Sequence, residues 1–216
     1  HLHVHSQFSF LVSTVKLDAL VRHTAELGMR AVALTDHANM FGAIRHWKKC
    51  KAAGVQPILG AELNVVRPGT RGVVDHLVVL AASQQGYSNL VRLVTASHLE
   101  SASEMAPAVE LARVAAQSGG LIGLSGCLGG VAAQRVMEQG PDQGQSVLSE
   151  LREAFEPGSL YVELQDHGFP EQPILNGMLR DIGKRLDLPR VATNDTHYAS
   201  RDDAGAHLYL SCIGQG

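Results

Sequence analysis

Short aliphatic runs alternate with segments of helical period along nearly the whole chain, and this alternation restricts the fold more than any other feature. Seven such runs can be read: Leu2–Val4, AVALT at 31–35, PILGAELNVV at 57–66, HLVVLAA at 76–82, LIGLS at 121–125, LYVELQ at 160–165 and RVATN at 190–194. Between them lie amphipathic stretches. LDALVRHTAELG places Leu17, Leu20, Val21 and Leu27 on one helical face and stops at Gly28. FGAIRHWKKCKAAG ends at Gly54, with KKCK as its solvated face. Further helices are expected through about His98, over 107–117, from GGVAAQRVMEQG, over VLSELREAF after a polar GPDQGQ loop, over about 171–186, and from about Asp202. RPGTRG and ESASEMAP read as connections.

Strands that each precede a helix pair in parallel through right-handed crossovers. Seven in 216 residues predict an α/β fold, a closed or nearly closed, distorted seven-stranded β/α (TIM-like) barrel, with an open doubly wound sheet as the alternative. The length fits one domain spanning 1–216. Aromatics make up only 5% of the chain, which disfavours an aromatic-rich sandwich.

A net charge of −3 gives no general attraction for nucleic-acid backbones, so any such contact needs a local site. Cys50, Cys127 and Cys212 are few, odd in number and widely spaced, which points to a reducing, cytoplasmic setting without a disulfide framework. No apolar run approaches the roughly 18–20 residues of a membrane span. The chain starts without Met and inside a strand, as expected of a segment of a longer protein.

In β/α folds functional groups gather where strands end. Here the first run offers His3 and His5 on one face, with His1 beside them; the second offers Asp36 and His37; the third Glu62. The fourth carries His76 at its start rather than its end. Cys127, then Asp166 and His167, then Asp195 and His197 follow the last three. Each residue alone has an ordinary structural explanation: a bonded core histidine, a buried thiol, a turn aspartate. GCLGG is a tight turn or a weak nest of N–H groups. Agreement among seven strands is what those explanations do not supply, and it points to a polynuclear metal site. Mixed His, Asp, Glu and Cys suit zinc, with manganese or iron as alternatives. Paired cations about 3.5–4 Å apart suit phosphoester hydrolysis. No Walker loop, dinucleotide fingerprint or nucleophile elbow is present.

With these residues in hand, the chain resembles the PHP (polymerase and histidinol phosphatase) domain family, in the form found at the amino terminus of bacterial DNA polymerase III alpha subunits. HLHVHSQFSF, ALTDHANMFGAI, GVQPILGAELNVV, GYSNLVRLV, GLIGLSGCLGG, VELQDHGFPEQ and RVATNDTHYASRDDAGAHLYLSCIGQG carry the resemblance in family order. It implies up to three metals: one on His3, His5, Glu62 and Asp195; a second sharing Glu62 and adding His76 and Cys127; a third on His37 and His197. His37, His197 and Asp195 would serve catalysis, and His167 would lie near the substrate. The family pattern S-x-L-D-G is replaced by Ser9-Phe10-Leu11-Val12-Ser13, so Val12 stands where an acidic ligand is expected and the third site is left with His37, His197 and water or Asp36. The resemblance implies a role in DNA replication as a metal-dependent 3′–5′ exonuclease with a DNA 3′ end as substrate, beside the remaining polymerase domains of the same chain and a proofreading subunit. The alternatives are a structural domain that supports the polymerase or docks that subunit, and, lower in rank, a free-standing PHP phosphatase.

Overall fold

The aliphatic runs are rich in Val, Leu and Ile and bounded by glycine or polar residues, and they fold as strands; the amphipathic stretches bury one face as helices. The computed structural model describes residues 1–67, 70, 72–101, 103 and 106–215. Its elements are α1 (Leu17–Glu26), β1 (Ala31–Leu34), α2 (Ala43–Ala52), β2 (Gln56–Val66), β3 (Val74–Ala81), α3 (Gln84–Leu99), α4 (Leu111–Ala116), β4 (Leu121–Leu124), α5 (Val131–Gln139), α6 (Pro141–Ala154), β5 (Leu160–Leu164), α7 (Gln172–Arg185) and β6 (Arg190–Ala192). A 3₁₀ turn (Arg201–Asp203) then leads into α8 (Ala204–Gln215). Parts of the 67–72 and 101–107 connections, and Gly216, lie outside the described residues.

The strands form one curled sheet in the order β1-β2-β3-β4-β5-β6, a half-barrel of six strands. The expectation of parallel pairing throughout is corrected. β1–β2, β4–β5 and β5–β6 are parallel, but β3 runs antiparallel to both β2 and β4. Residues 67–73 are too few for a helical crossover, so the chain returns as a hairpin. The reversal puts the start of β3 at the carboxyl end of the other strands, and His76 pairs in register with Asn64 near the end of β2. Its anomalous position in the sequence is thereby explained.

The first aliphatic run is not one of the six strands. Val4 makes a single parallel bridge to Thr196 beyond β6. His5 N donates to the Thr196 carbonyl (2.9 Å) and Thr196 N to that of His3 (3.1 Å). Toward β1, Ala33 N donates to the His1 carbonyl and Thr35 N to that of Val4, each at 2.9 Å. The segment divides its bonds between two neighbours, so neither side develops a ladder.

Two helix boundaries also differ from expectation. GPDQGQ is the first part of α6 rather than a loop, with Pro141 at its start and Asp142 in its first turn. Residues 107–110 are not helical, and Val109 is bridged to Val65, so α4 begins only at Leu111. α2 keeps Cys50 and His46 buried while Lys48 and Lys51 face solvent.

The larger core packs Leu63, Leu77, Leu90, Leu93, Leu148 and Ile182 between sheet and helices. A smaller cluster takes Leu2, Ala33, Ile58, Val78, Leu124, Tyr161 and Val191, from the first run and all six strands, as the concave face of a curled sheet does. Near the β2–β3 hairpin, buried Arg67 meets buried Asp75 through two bonds (2.5 and 3.2 Å) and Glu138 of α5 through a third. Breaking a buried ion pair strands the remaining charge. Asp75→Ala should lower unfolding free energy by about 3–5 kcal/mol in a urea titration, and Arg67→Met with Asp75→Leu by distinctly less.

Candidate metal centre

Glu62, mid-strand in β2 and only 2% exposed, occupies the middle of the site. His37 Nδ1 lies 2.6 Å from its Oε1; His76 Nδ1 and His3 Nε2 lie 3.1 and 3.2 Å from its Oε2. Burial opposes ionisation of this carboxyl, but His76, His5, His3 and His37 around it hold it well below the usual carboxylate range. Asp195, which follows β6, takes a left-handed backbone conformation (φ 45°) that aspartate tolerates better than most residues. Its Oδ1 faces His197 Nε2 at 3.0 Å, His5 Nε2 at 3.2 Å and His3 Nε2 at 3.3 Å. None of the three contacts has hydrogen-bond geometry, and this buried oxygen has no hydrogen-bond partner.

The imidazoles are held by a shell of polar groups. Asp36 accepts from Ser6 N (2.6 Å), Ser6 Oγ (2.9 Å) and Ser9 Oγ (2.8 Å). Ser9 spends its hydrogen on Asp36 and already accepts from His37 N, so His5 Nδ1–H donates to Ser9 Oγ (3.1 Å) and its Nε2 turns to Asp195. Asp36 is therefore an organiser of this shell. His3 Nδ1–H donates to Glu163 Oε1 (2.9 Å), which also accepts from Gln165 Nε2 and Thr193 Oγ1. The strand pattern did not single out Glu163; an acid within apolar LYVEL, on a sheet this buried, was the available signal.

These contacts demand positive charge at the centre. Burial lowers the basicity of both His3 and His5. For His3 the carboxylates of Glu163, Glu62 and Asp195 overcome burial and raise it well above the usual range, while His5 stays below it. Burial likewise opposes Asp195, but His197, His5 and His3 hold its carboxyl down, and Glu62 raises His76 against its own burial. The two Nε2 atoms of His3 and His5, 3.2 Å apart, converge on Asp195 Oδ1, which has no hydrogen-bond partner. A divalent cation fits that arrangement.

Among the described residues the donor atoms form two compact groups, His3–His5–Asp195 and His37–Glu62–His76. His37 lies with Glu62 and His76, while the resemblance implied a site shared by His37 and His197. Cys127 Sγ stands 3.8 Å from His76 Nδ1, and burial, reinforced by Glu62 and Asp195, pushes its thiol up. The GCLGG loop brings it there. Gly126 has φ 89°, and a Cβ at this position would come within 2.7 Å of the His76 carbonyl and of Gly130. His197 stacks on His5 (4.5 Å between centroids), and its Nδ1 donates to the Val12 carbonyl (3.1 Å). The acid missing at position 12 is thus partly answered by a backbone carbonyl that orients His197. His167 is engaged at both nitrogens, with the Asn194 carbonyl and Gln172, and exposed Asp166 accepts from Gly168 N in a turn; neither joins the cluster. His1 is exposed, outside it.

Fold and site together define an α/β protein in which histidines and carboxylates gather around buried Glu62, a donor set that could hold metal. Residues 1–167 match the PHP domain family, and the chain belongs to that family. It is 38% identical over 228 residues to the error-prone DNA polymerase of Symbiobacterium thermophilum, covering 99% of this chain and 20% of that protein. It is also 38% identical over 224 residues to the DNA polymerase III subunit alpha of Thermus aquaticus, covering 99% and 18% respectively. The chain thus spans about a fifth of these relatives. Among solved structures, a Bifidobacterium adolescentis protein assigned as a metal-dependent phosphoesterase shares the fold (TM-score 0.58, 17% identity, 99% of this chain and 97% of that one). An amidohydrolase of Chromobacterium violaceum does so with TM-score 0.61 at 13% identity, over 93% and 88% of the chains.

Second-layer carboxylates that orient ligating histidines typically affect metal affinity about 10–100-fold. Glu163→Ala should weaken binding of a divalent cation by that factor in calorimetric titration, whereas Glu163→Gln, which keeps an acceptor for His3 Nδ1–H, should lose less.

Proposed function

We propose that this chain is the PHP domain of a bacterial replicative DNA polymerase and that its centre hydrolyses a phosphodiester at a DNA 3′ end, as a 3′–5′ exonuclease. The observation that carries the chemistry is the orphaned Asp195 Oδ1 ringed by three imidazole nitrogens at 3.0–3.3 Å. His3, His5 and Asp195 would hold one cation, and His37, Glu62, His76 and Cys127 a second; zinc suits this donor set best. Cations bound there supply Lewis acidity toward phosphoryl oxygen and water.

The remaining steps belong to side chains. His3 and His5 are sealed at 0% and 1% exposure, whereas the side chains of His37, His76 and His197 are open at 29%, 30% and 24%, so the substrate side is theirs. His197, with Nδ1–H fixed on the Val12 carbonyl, presents Nε2 as the site that carries a proton. In hydrolysis the water oxygen bonds to phosphorus as the bond to the 3′ oxygen breaks; one water proton ends on that oxygen, by way of His197 Nε2, and the other passes to solvent. His37, beside Glu62, faces the phosphoryl group.

We read residues 1–216 as one domain, with the first run closing the barrel as a seventh strand; its bonds to both β1 and Thr196 support this. No described helix is long and apolar enough to cross a membrane, and we place the protein in the cytoplasm. The remaining polymerase domains are its nearest partners. Exposed Leu208, Tyr209 and Ile213 on α8 support that reading, because apolar side chains grouped on one element commonly mark a contact surface. The substitution at Val12 favours a second reading, a non-catalytic domain that supports the polymerase or docks a proofreading subunit.

Metal content and hydrolysis of a 3′-labelled oligonucleotide distinguish the two. Asp195→Asn should remove at least one equivalent of metal and reduce hydrolysis by about 100-fold or more. Wild-type protein that holds metal but leaves the oligonucleotide intact would establish the supporting role instead.

A further inference from the structure

A cavity of about 540 Å³ opens beside Asp195 and His197, and Phe169, Tyr198 and His207 form its outer wall. That wall is aromatic. Tyr198, 40% exposed, rests against the ring of His207 (5.4 Å between centroids), and Phe169, 50% exposed, is braced edge-on by His167 (6.4 Å). Exposed aromatic rings lining a cavity next to a charged centre offer stacking faces, which accept any nucleobase.

His207 supplies a directional polar group. Its Nε2–H donates to the same Val12 carbonyl that holds His197 (3.0 Å), so its Nδ1 is the lone-pair nitrogen, and no described residue is bonded to it. One backbone carbonyl therefore fixes the tautomers of two neighbouring imidazoles, one turned to the centre and one lining the cavity. The volume falls within the range of about 300–1,000 Å³ typical of small-ligand sites.

We propose that this cavity is a nucleoside pocket: it takes the terminal nucleoside attached through its 5′ oxygen to the phosphoryl group at the centre, stacks its base on Phe169 and Tyr198, and accepts a hydrogen bond from it at His207 Nδ1. His207 is then a positioning residue for substrate, with no part in cleaving the bond. The inference rests on the phosphodiesterase reading for its substrate and is tested separately from it.

Two chromogenic phosphodiesters separate chemistry from nucleoside recognition. Thymidine 5′-(p-nitrophenyl phosphate) carries the nucleoside; bis(p-nitrophenyl) phosphate does not. The full chain should prefer the first in kcat/KM, and Phe169→Ala with Tyr198→Ala should reduce the ratio of the two by about tenfold or more. His207→Ala should reduce it in the same direction, mainly through KM. A ratio that stays within twofold in both variants overturns the pocket. If the wild type hydrolyses neither diester, the phosphodiesterase reading fails, and the pocket is judged by equilibrium binding of thymidine 5′-monophosphate against methyl phosphate. At least tenfold preference for the nucleotide, lost in the double variant, sustains it; equal affinities, or a preference that survives in the variant, overturn it.

Discussion

The site depends on one buried carboxylate. Glu62 reaches His3, His37 and His76 within 3.2 Å and His5 at 3.9 Å, so groups from before α1, after β1 and the start of β3 meet on a side chain in the middle of β2. A carboxylate this buried is costly unless positive charge surrounds it. The imidazoles provide that charge only in part, because His5 is disfavoured as a cation by burial and by the imidazoles of His3 and His197. The same arrangement that stabilises Glu62 therefore leaves a demand for further positive charge between His3, His5 and Asp195. Structure and chemistry share a cause here: the fold tolerates Glu62 for the reason that the centre attracts a cation.

Around this sit two separate supports of similar logic. On one side Asp36 and Ser9 fix His5; on the other Glu163, with Thr193 and Gln165, fixes His3. Adjacent histidines on one short segment are thus oriented by strands at opposite edges of the sheet, β1 and β5–β6. A histidine whose Nδ1 is committed in this way has its Nε2 direction set before any ligand arrives, which lowers the ordering cost of binding.

Much of this was legible in the chain. Alternating aliphatic and amphipathic segments gave an α/β architecture, and the residues at strand ends gave the cluster, because period and polarity are local properties. What local pattern could not provide was strand direction. His76 looked misplaced until β3 was seen to run backwards, a consequence of a connection too short for a helix. Glu163 was hidden for another reason: one acid in an apolar strand reads as a blemish until its partners, 160 and 30 residues distant along the chain at His3 and Thr193, are brought beside it. The first run was read as a strand on its composition, yet its bonds are split between two neighbours, which no property of three residues foretells. The resemblance paired His37 with His197, whereas in space its imidazole lies beside Glu62 and His76, because a motif names residues and only the fold groups them.

The opening HLHVH segment finally connects stability with function. Its backbone links β1 to the chain after β6, and its side chains reach Glu62 on β2, Asp195 after β6 and Glu163 on β5. Few backbone bonds hold it, so a substantial part of what keeps it in place is the polar centre itself. Any ligand drawn to His3, His5, Glu62 and Asp195 together cross-links the two edges of the curled sheet, and mass action then favours the closed arrangement over one with the segment released. The Val12 carbonyl extends this to the outer cavity, because Ser13, one residue on, donates to the His5 carbonyl while Val12 itself holds His197 and His207. Displacing the opening segment would thus disturb the ligands and the cavity wall in one motion, which makes the first residues of the chain as much a part of the site as the carboxylates they surround.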